Sequence, residues 1–473
     1  LDIRKVLRYI KKVYISLFCI LFMFRYEKLG DDSMIINELN TMKPNRFHYK
    51  LLLIAGIGWA FDAMDTGIIS FIMPLLTKEW HLTGTEIGML GSIGLLGMAI
   101  GAVLAGALAD HIGRKKIITW TMLLYGVATA LSSLAPNYEF LLVCRLLVGL
   151  GLGGELPVVA TLITEYSPQD SRGRFIVMLE SFWAIGWLLA ALIAYLIIPL
   201  YGWRISLAIG ALPALYTGVI RSHMPESLRY LIKQQKLEQL NATIAQLEAA
   251  TKVPLTRCSK EELAALTAHS APQGLGTLWN KQYALRTCML WITWFGIVFS
   301  YYGIFMWLPS LIYQQGFTII KSFEYLFIMT LAQFPGYISA AYLVDKIGRR
   351  YTLSLYLLCS GISSYFFGHA TSETMLLASG ICMSFFNLGA WGVIYTYTPE
   401  LYPTEIRGLG SGWAAGVGRI GGIIAPILVG VLLSHQMLMD SIFYLFASVF
   451  VIIALVVLSM GMESKKRALE GIK

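Results

Sequence analysis

Runs of about 20 apolar residues recur along this chain, and its charged residues are crowded into short clusters between them. A helical run of that length crosses a hydrocarbon core of roughly 30 Å. Only 14% of the residues are charged, against roughly 25% in a soluble domain. Spans are expected at 51–76, 86–109, 117–135, 139–163, 175–199, 204–221, 285–312, 322–344, 352–369, 374–397, 410–434 and 441–461. The reading is an all-α membrane protein with twelve transmembrane helices in two six-helix bundles. The net charge of +9 does not imply nucleic acid, because Lys and Arg sit in the loops, where a membrane protein places them.

Loops on one side carry Arg114, Lys115, Lys116, Arg172, Arg174, Lys346, Arg349, Arg350, Arg407 and the segment after Arg221, whereas the opposite loops hold Lys78, Arg204 and Lys321. The positive-inside rule then places both termini and the central loop in the cytoplasm, and the cell membrane is the expected location. The expected divisions are an extension over 1–49, a bundle over 50–221, a linker over 222–284, a second bundle over 285–461 and a tail over 462–473. The apolar stretch Val13–Phe24 is too short to span. It reads as a membrane-surface segment or as an upstream extension without a fold of its own. Leu237 to Ala250 alternates at helical spacing, which predicts an amphipathic helix in the linker. The six cysteines form no close pairs and read as small buried hydrophobes. No metal-spaced cluster and no catalytic constellation is found, so no cofactor, metal or enzymatic activity is expected.

The chain repeats itself. Asp110-His-Ile-Gly113-Arg114-Lys115 returns as Asp345-Lys-Ile-Gly348-Arg349-Arg350, 235 positions on. Glu165-Tyr-Ser-Pro168, followed by Arg172-Gly173, returns at the same offset as Glu400-Leu-Tyr-Pro403, followed by Arg407-Gly408. Two motifs sharing one offset define two halves of six spans each, in the same orientation, with a substrate site expected between them.

The residues that carry the repeat also carry a resemblance. The Gly106–Lys116 loop resembles the signature between the second and third helices of the major facilitator superfamily. Arg145-x3-Gly149-x-Gly151-x-Gly153-Gly154-Glu155-x-Pro157 resembles the helix-4 motif of that superfamily. Pro225–Leu231 is similar to the motif that ends helix 6 in sugar porters, with Leu228 in place of the usual Pro. Three further segments resemble the bacterial niacin permeases, relatives of the synaptic-vesicle glycoprotein 2 and aromatic-acid/proton symporter groups. They are Gly58-Trp-Ala-Phe61-Asp62-Ala-Met-Asp65, Glu180-Ser-Phe-Trp183-Ala-Ile-Gly-Trp187 and Phe385-Phe-Asn387-Leu-Gly-Ala-Trp391-Gly. The resemblance implies proton-coupled import of a small aromatic carboxylate such as nicotinate.

Asp62 and Asp65, three apart, share a helix face, and Asp62 lies about 16 Å into its span at 1.5 Å per residue. A bare carboxylate there costs several kcal/mol, roughly, unless it is protonated, paired or facing water. It reads as a proton carrier, a substrate contact or a structural partner of Arg145. Arg145 is a candidate partner for Asp65, and the resemblance gives this helix-4 Arg a part in proton coupling. Glu155 is a further intramembrane acid, open to a functional or a structural role. Arg419, about 14 Å into its span, is expected either to receive a substrate carboxylate or to be held by carbonyls freed at Gly416, Gly418, Gly421 and Gly422. Trp183, Trp187, Trp391, Tyr301 and Tyr302 are packing residues or ligand contacts. The resemblance favours Trp187 and Trp391 as walls for a flat ring. Asn387 and Gln333 are the main central amides.

Glu180 is expected near the cytoplasmic face, pairing with Arg172 or Arg174 or acting as a gate. Asp110, Gly113 and Arg114, with their copies Asp345, Gly348 and Arg349, are expected gate parts, latched by Glu165, Arg172, Glu400 and Arg407. A lipid bilayer, protons and one small substrate are the expected partners, with the protein a monomer. The other readings are a sugar or polyol porter, a drug exporter of the same superfamily, and a solute receptor without transport.

Overall fold

The computed structural model describes residues 34–168, 171–260, 263, 275–403 and 406–464. The Val13–Phe24 stretch, the linker segment 264–274 and the tail beyond 464 lie outside them, as does the side chain of Asp110. Among the described residues there is no strand.

A short helix, α1 (Met34–Thr41), precedes α2 (Arg46–Trp80), whose start is fixed by a reciprocal capping box between Asn45 and His48. Next come α3 (Gly84–Ile112), α4 (Arg114–Ser133), α5 (Tyr138–Tyr166) and α6 (Arg172–Leu196). The sixth crossing is interrupted: α7 (Ile198–Gly210) and α8 (Pro213–His223) are separate helices, with Gly202 at positive φ in the first. The connecting segment contributes α9 (Leu228–Lys233) and α10 (Leu237–Thr251), which buries Leu240, Thr243, Ile244 and Leu247, as the helical spacing there predicts.

The second half is α11 (Ala284–Phe305), α12 (Leu308–Gln314), α13 (Ile319–Leu331), α14 (Gln333–Ile347), α15 (Arg349–Gly368), α16 (Glu373–Glu400), α17 (Arg407–Ser434) and α18 (Met439–Met460). Its eighth span is likewise divided, between α13 and α14 at Ala332.

Ten of these segments are long and apolar enough to cross a membrane. The remaining two crossings, α4 and α15, are 20 residues each and correspond in the two halves. They are less apolar because each begins with basic residues and buries hydroxyl groups, Thr129 and Ser132 in one and Ser360 and Ser364 in the other. The result is twelve spans in two bundles of six. Large apolar side chains such as Trp120, Leu134, Leu200, Ile338 and Tyr342 are exposed on the outer faces, the inverse of a soluble protein.

The bundles touch at the end away from the basic loops. Ser70 on α2 donates to the carbonyl oxygens of Phe305 and Met306 at 2.9 and 3.0 Å. The backbone N–H of Thr85 donates to Ser434 Oγ at 3.1 Å. Glycines let α3 lie directly on α17: a Cβ on Gly84 would stand 2.6 Å from the Gly430 carbonyl oxygen, and one on Gly88 2.5 Å from that of Pro426. Gly430→Val is therefore expected to wedge this end apart at a cost of about 1–3 kcal/mol. A Ser70→Cys probe, fully buried in the parent, should label about tenfold faster with an impermeant maleimide when Gly430→Val is also present.

Candidate functional site

Between the halves lies a cavity of about 920 Å³ that runs from mid-membrane to the basic-loop end. Its floor is a hydrogen bond across the halves, from Trp183 Nε1 on α6 to Tyr301 Oη on α11 at 2.7 Å. Its walls are aromatic. Trp59 lies against Trp183 with ring centroids 4.7 Å apart, Tyr301 packs edge-on to Trp391 at 5.5 Å, and Trp391 to Trp294 at 5.9 Å. Tyr302, Tyr337 and Tyr395 complete the lining.

Two ionisable groups reach this cavity at depth. Arg419 on α17 extends into it beside the Tyr302 hydroxyl, with Nη1 3.9 Å from Met98 Sδ. Among the described residues neither a glycine-run carbonyl nor a carboxylate within 4.0 Å holds it. Glu180 on α6, 5% exposed, lines the same cavity with Arg419 as its charged neighbour and the Trp59 indole beside it. The expected pairing of Glu180 with Arg172 or Arg174 is not found. The 8 residues from Arg172 to Glu180 carry it about two turns along α6, away from the loop. Arg172 instead donates to Asn40 Oδ1 at 2.9 Å and to the Ser167 carbonyl oxygen at 3.4 Å.

The other deep acids do not face the cavity. Arg145 on α5 grips Asp65 on α2, with Nη2 to Oδ2 at 2.6 Å and Nη1 to Oδ1 at 3.3 Å, and Thr129 Oγ1 donates to Asp65 Oδ1 at 2.8 Å. Asp62 faces Glu155 and the Tyr125 hydroxyl without a regular hydrogen bond; all three are at most 1% exposed. These groups form the interior of the first bundle, sealed from lipid and cavity alike. For Asp65 and Arg145 the rule that buried charges need company is met by partners on neighbouring helices rather than by a watery passage.

The aromatic residues are also sorted by depth. Trp187, 1% exposed, packs edge-on against Tyr301 and Phe305 behind the floor. It does not pair across the cavity with Trp391. Trp183, one turn nearer the basic-loop end, stands there instead. Asn387 and Gln333, at 1% and 0% exposure, are likewise buried away from the lining. Trp59, Trp294, Tyr337 and Tyr395 had not been singled out. The signal for Trp59 was its place three residues before Asp62, on a helix face that must turn inward.

The repeated loops are built alike. Gly113 and Gly348 adopt φ of 110° and 97°, a conformation that disfavours any Cβ. Beyond each, a carboxylate caps the next helix: Glu226 Oε1 accepts from the backbone N–H of Arg114 and Lys115 at 2.8 and 3.2 Å. Glu463 accepts in the same way from Arg349 and Arg350 at 3.0 and 3.1 Å. Arg114 lies 3.7 Å from Glu165, and Arg349 is forked onto Glu400 at 2.9 and 3.0 Å. Ser227 donates to Glu165 and Ser464 to Glu400. Each latch therefore closes within its own half. Arg407 reaches the Tyr402 carbonyl oxygen at 3.4 Å, and Asp345 is largely exposed, 3.7 Å from Arg349. Glu226 and Glu463 escaped notice, yet the dipeptide Glu-Ser stands at both 226–227 and 463–464.

Two six-helix bundles enclosing a cavity that opens at one end and is closed at the other define a membrane carrier of small molecules. The chain belongs to the family described as "sugar (and other) transporter", whose model matches residues 51–473. It is 48% identical to the niacin transporter NiaP of Acinetobacter baylyi, covering 93% of this chain and 99% of that protein. It is 46% identical to the putative niacin/nicotinamide transporter NiaP of Bacillus subtilis, covering 89% and 98%. The benzoate transport protein of Acinetobacter baylyi is 30% identical over 85% of this chain and 87% of its own length. In fold, the chain is similar to the inward-open xylose transporter XylE of E. coli, with a TM-score of 0.70 at 19% identity, covering 90% and 99%.

Proposed function

We propose that this protein carries a small aromatic acid, nicotinate before others, across the cell membrane by alternating access coupled to protons. The observation that carries the reading is Arg419: a guanidinium at mid-membrane depth, inside an aromatic cavity, with no carboxylate within 4.0 Å. A buried cation is costly, and a forked pair with a substrate carboxylate satisfies it. Trp59, Trp183 and Trp391 offer apolar faces to a flat ring. Relatives at 46–48% identity that are named for niacin support the same substrate.

With the basic loops cytoplasmic, as the positive-inside rule assigns them, both termini face the cytoplasm. The cavity then faces inward and the α3–α17 contact is the outer gate. Protons act in the first bundle. A proton on Asp65 competes with Arg145 for the carboxylate, and one shared by Asp62 and Glu155 removes a charge from that pair. The first event loosens α2 from α5, and the second draws Asp62 on α2 to Glu155 on α5 through a shared hydrogen bond, in neither case touching substrate. The protein works as a monomer in this scheme, since one chain holds both halves of the site.

A sugar porter is the second reading, favoured by the Pro225–Leu231 motif. Against it, Asn387 and Gln333, the amides that would serve hydroxyl groups, are buried outside the cavity lining. A panel of labelled nicotinate, benzoate, nicotinamide and xylose, taken up by proteoliposomes, tests the two. Uptake of the acids is expected; uptake of xylose without the acids would reverse the choice.

A further inference from the structure

Arg419 accounts for one end of an aromatic acid, and Glu180 then stands unexplained. It is a carboxylate in the wall of a site for anions, 5% exposed, on the bundle opposite Arg419. The two are close enough to act on each other electrostatically, yet no ion pair within 4.0 Å joins them. Both line the same cavity of about 920 Å³, which can hold a molecule against a cation and an acid with indole and phenol rings on its flanks. We propose that Glu180 binds the ring nitrogen of a pyridine carboxylate whose carboxylate lies on Arg419, so that the site selects basic heteroaromatic acids over benzoate-like ones. This rests on the aromatic-acid reading above and adds to it the identity of the ring.

The charges balance when one proton is held between the Glu180 carboxyl and the ring nitrogen, because the nicotinate carboxylate then offsets the Arg419 guanidinium. Whether that proton is drawn on oxygen or on nitrogen, the same hydrogen bond forms. A benzoate ring offers a C–H where the nitrogen would be and leaves the buried acid without its partner, the kind of mismatch that a polar site penalises strongly. The titratable groups facing Glu180 are Arg419 on α17, Tyr302 on α11, Tyr337 on α14 and Tyr395 on α16.

The test is competition against labelled nicotinate on purified protein in nanodiscs, with unlabelled nicotinate and benzoate as probes. The parent is expected to prefer nicotinate to benzoate by roughly tenfold to a hundredfold. In Glu180→Leu the nicotinate-to-benzoate ratio should fall to within about twofold of one. Glu180→Gln, whose amide N–H can still donate to the ring nitrogen, should keep an intermediate preference and controls for folding. An unchanged ratio in both variants overturns the assignment of Glu180 while leaving the aromatic-acid reading intact. Absence of nicotinate binding to the parent, with benzoate bound, overturns both.

Discussion

Asp65→Asn is expected to destabilise the protein by about 3–5 kcal/mol, and Arg145→Gln by less. The two substitutions break the same contact, the 2.6 Å pair between α5 and α2, but leave different orphans. Asparagine in place of Asp65 leaves a guanidinium that is 4% exposed and cannot shed its charge. Glutamine in place of Arg145 leaves a carboxylate that can take up a proton and still accepts from Thr129. The Asp65→Asn protein should therefore unfold at the lower temperature. Thermal unfolding in detergent measures both. Equal losses would mean that the pair acts as ordinary packing.

Arg419→Gln should lower uptake efficiency for nicotinate by about 30- to 150-fold, the equivalent of roughly 2–3 kcal/mol for charge-assisted hydrogen bonds. Nicotinamide has no carboxylate to lose and should be affected about threefold or less. The comparison separates recognition from architecture, because α17 also packs directly on α3 at Gly430. A defect in the helix would reduce both substrates alike. Initial rates over a range of concentrations, in matched proteoliposomes, decide between the two.

The scaffold was legible in the sequence because the features that build it are local. Twenty-residue apolar runs and an exact repeat of Asp-x-Ile-Gly-Arg define spans, halves and loops without knowledge of any contact. The paired loop geometry was legible for the same reason: Gly113 and Gly348, and the contact of Arg114 with Glu165, lie within their own halves. What could not be read was the direction in which a deep side chain points. Asp62, Asp65 and Arg419 lie at similar depth, yet two face into the first bundle and one into the cavity. That difference depends on the rotation of each helix against several neighbours, which spacing along one helix does not fix. Trp183 and Trp187 show the limit most plainly. Four apart, they share a face of α6, but one turn decides that Trp183 meets the cavity and Trp187 lies behind Tyr301. Glu180 was misplaced for a related reason: its distance from the loop was judged short, whereas two turns bring it level with Trp59.

The proposed mechanism turns on a separation of proton-handling groups in the first bundle from substrate groups in the cavity. It is tested most directly by comparing two fluxes of labelled nicotinate in proteoliposomes bearing Asp62→Asn. One is net accumulation driven by an imposed pH gradient, and the other is exchange against internal nicotinate with no gradient. The mechanism predicts that the parent shows both and that Asp62→Asn loses accumulation while keeping exchange. Loss of both together, or accumulation in the parent that ignores the pH gradient, would contradict it.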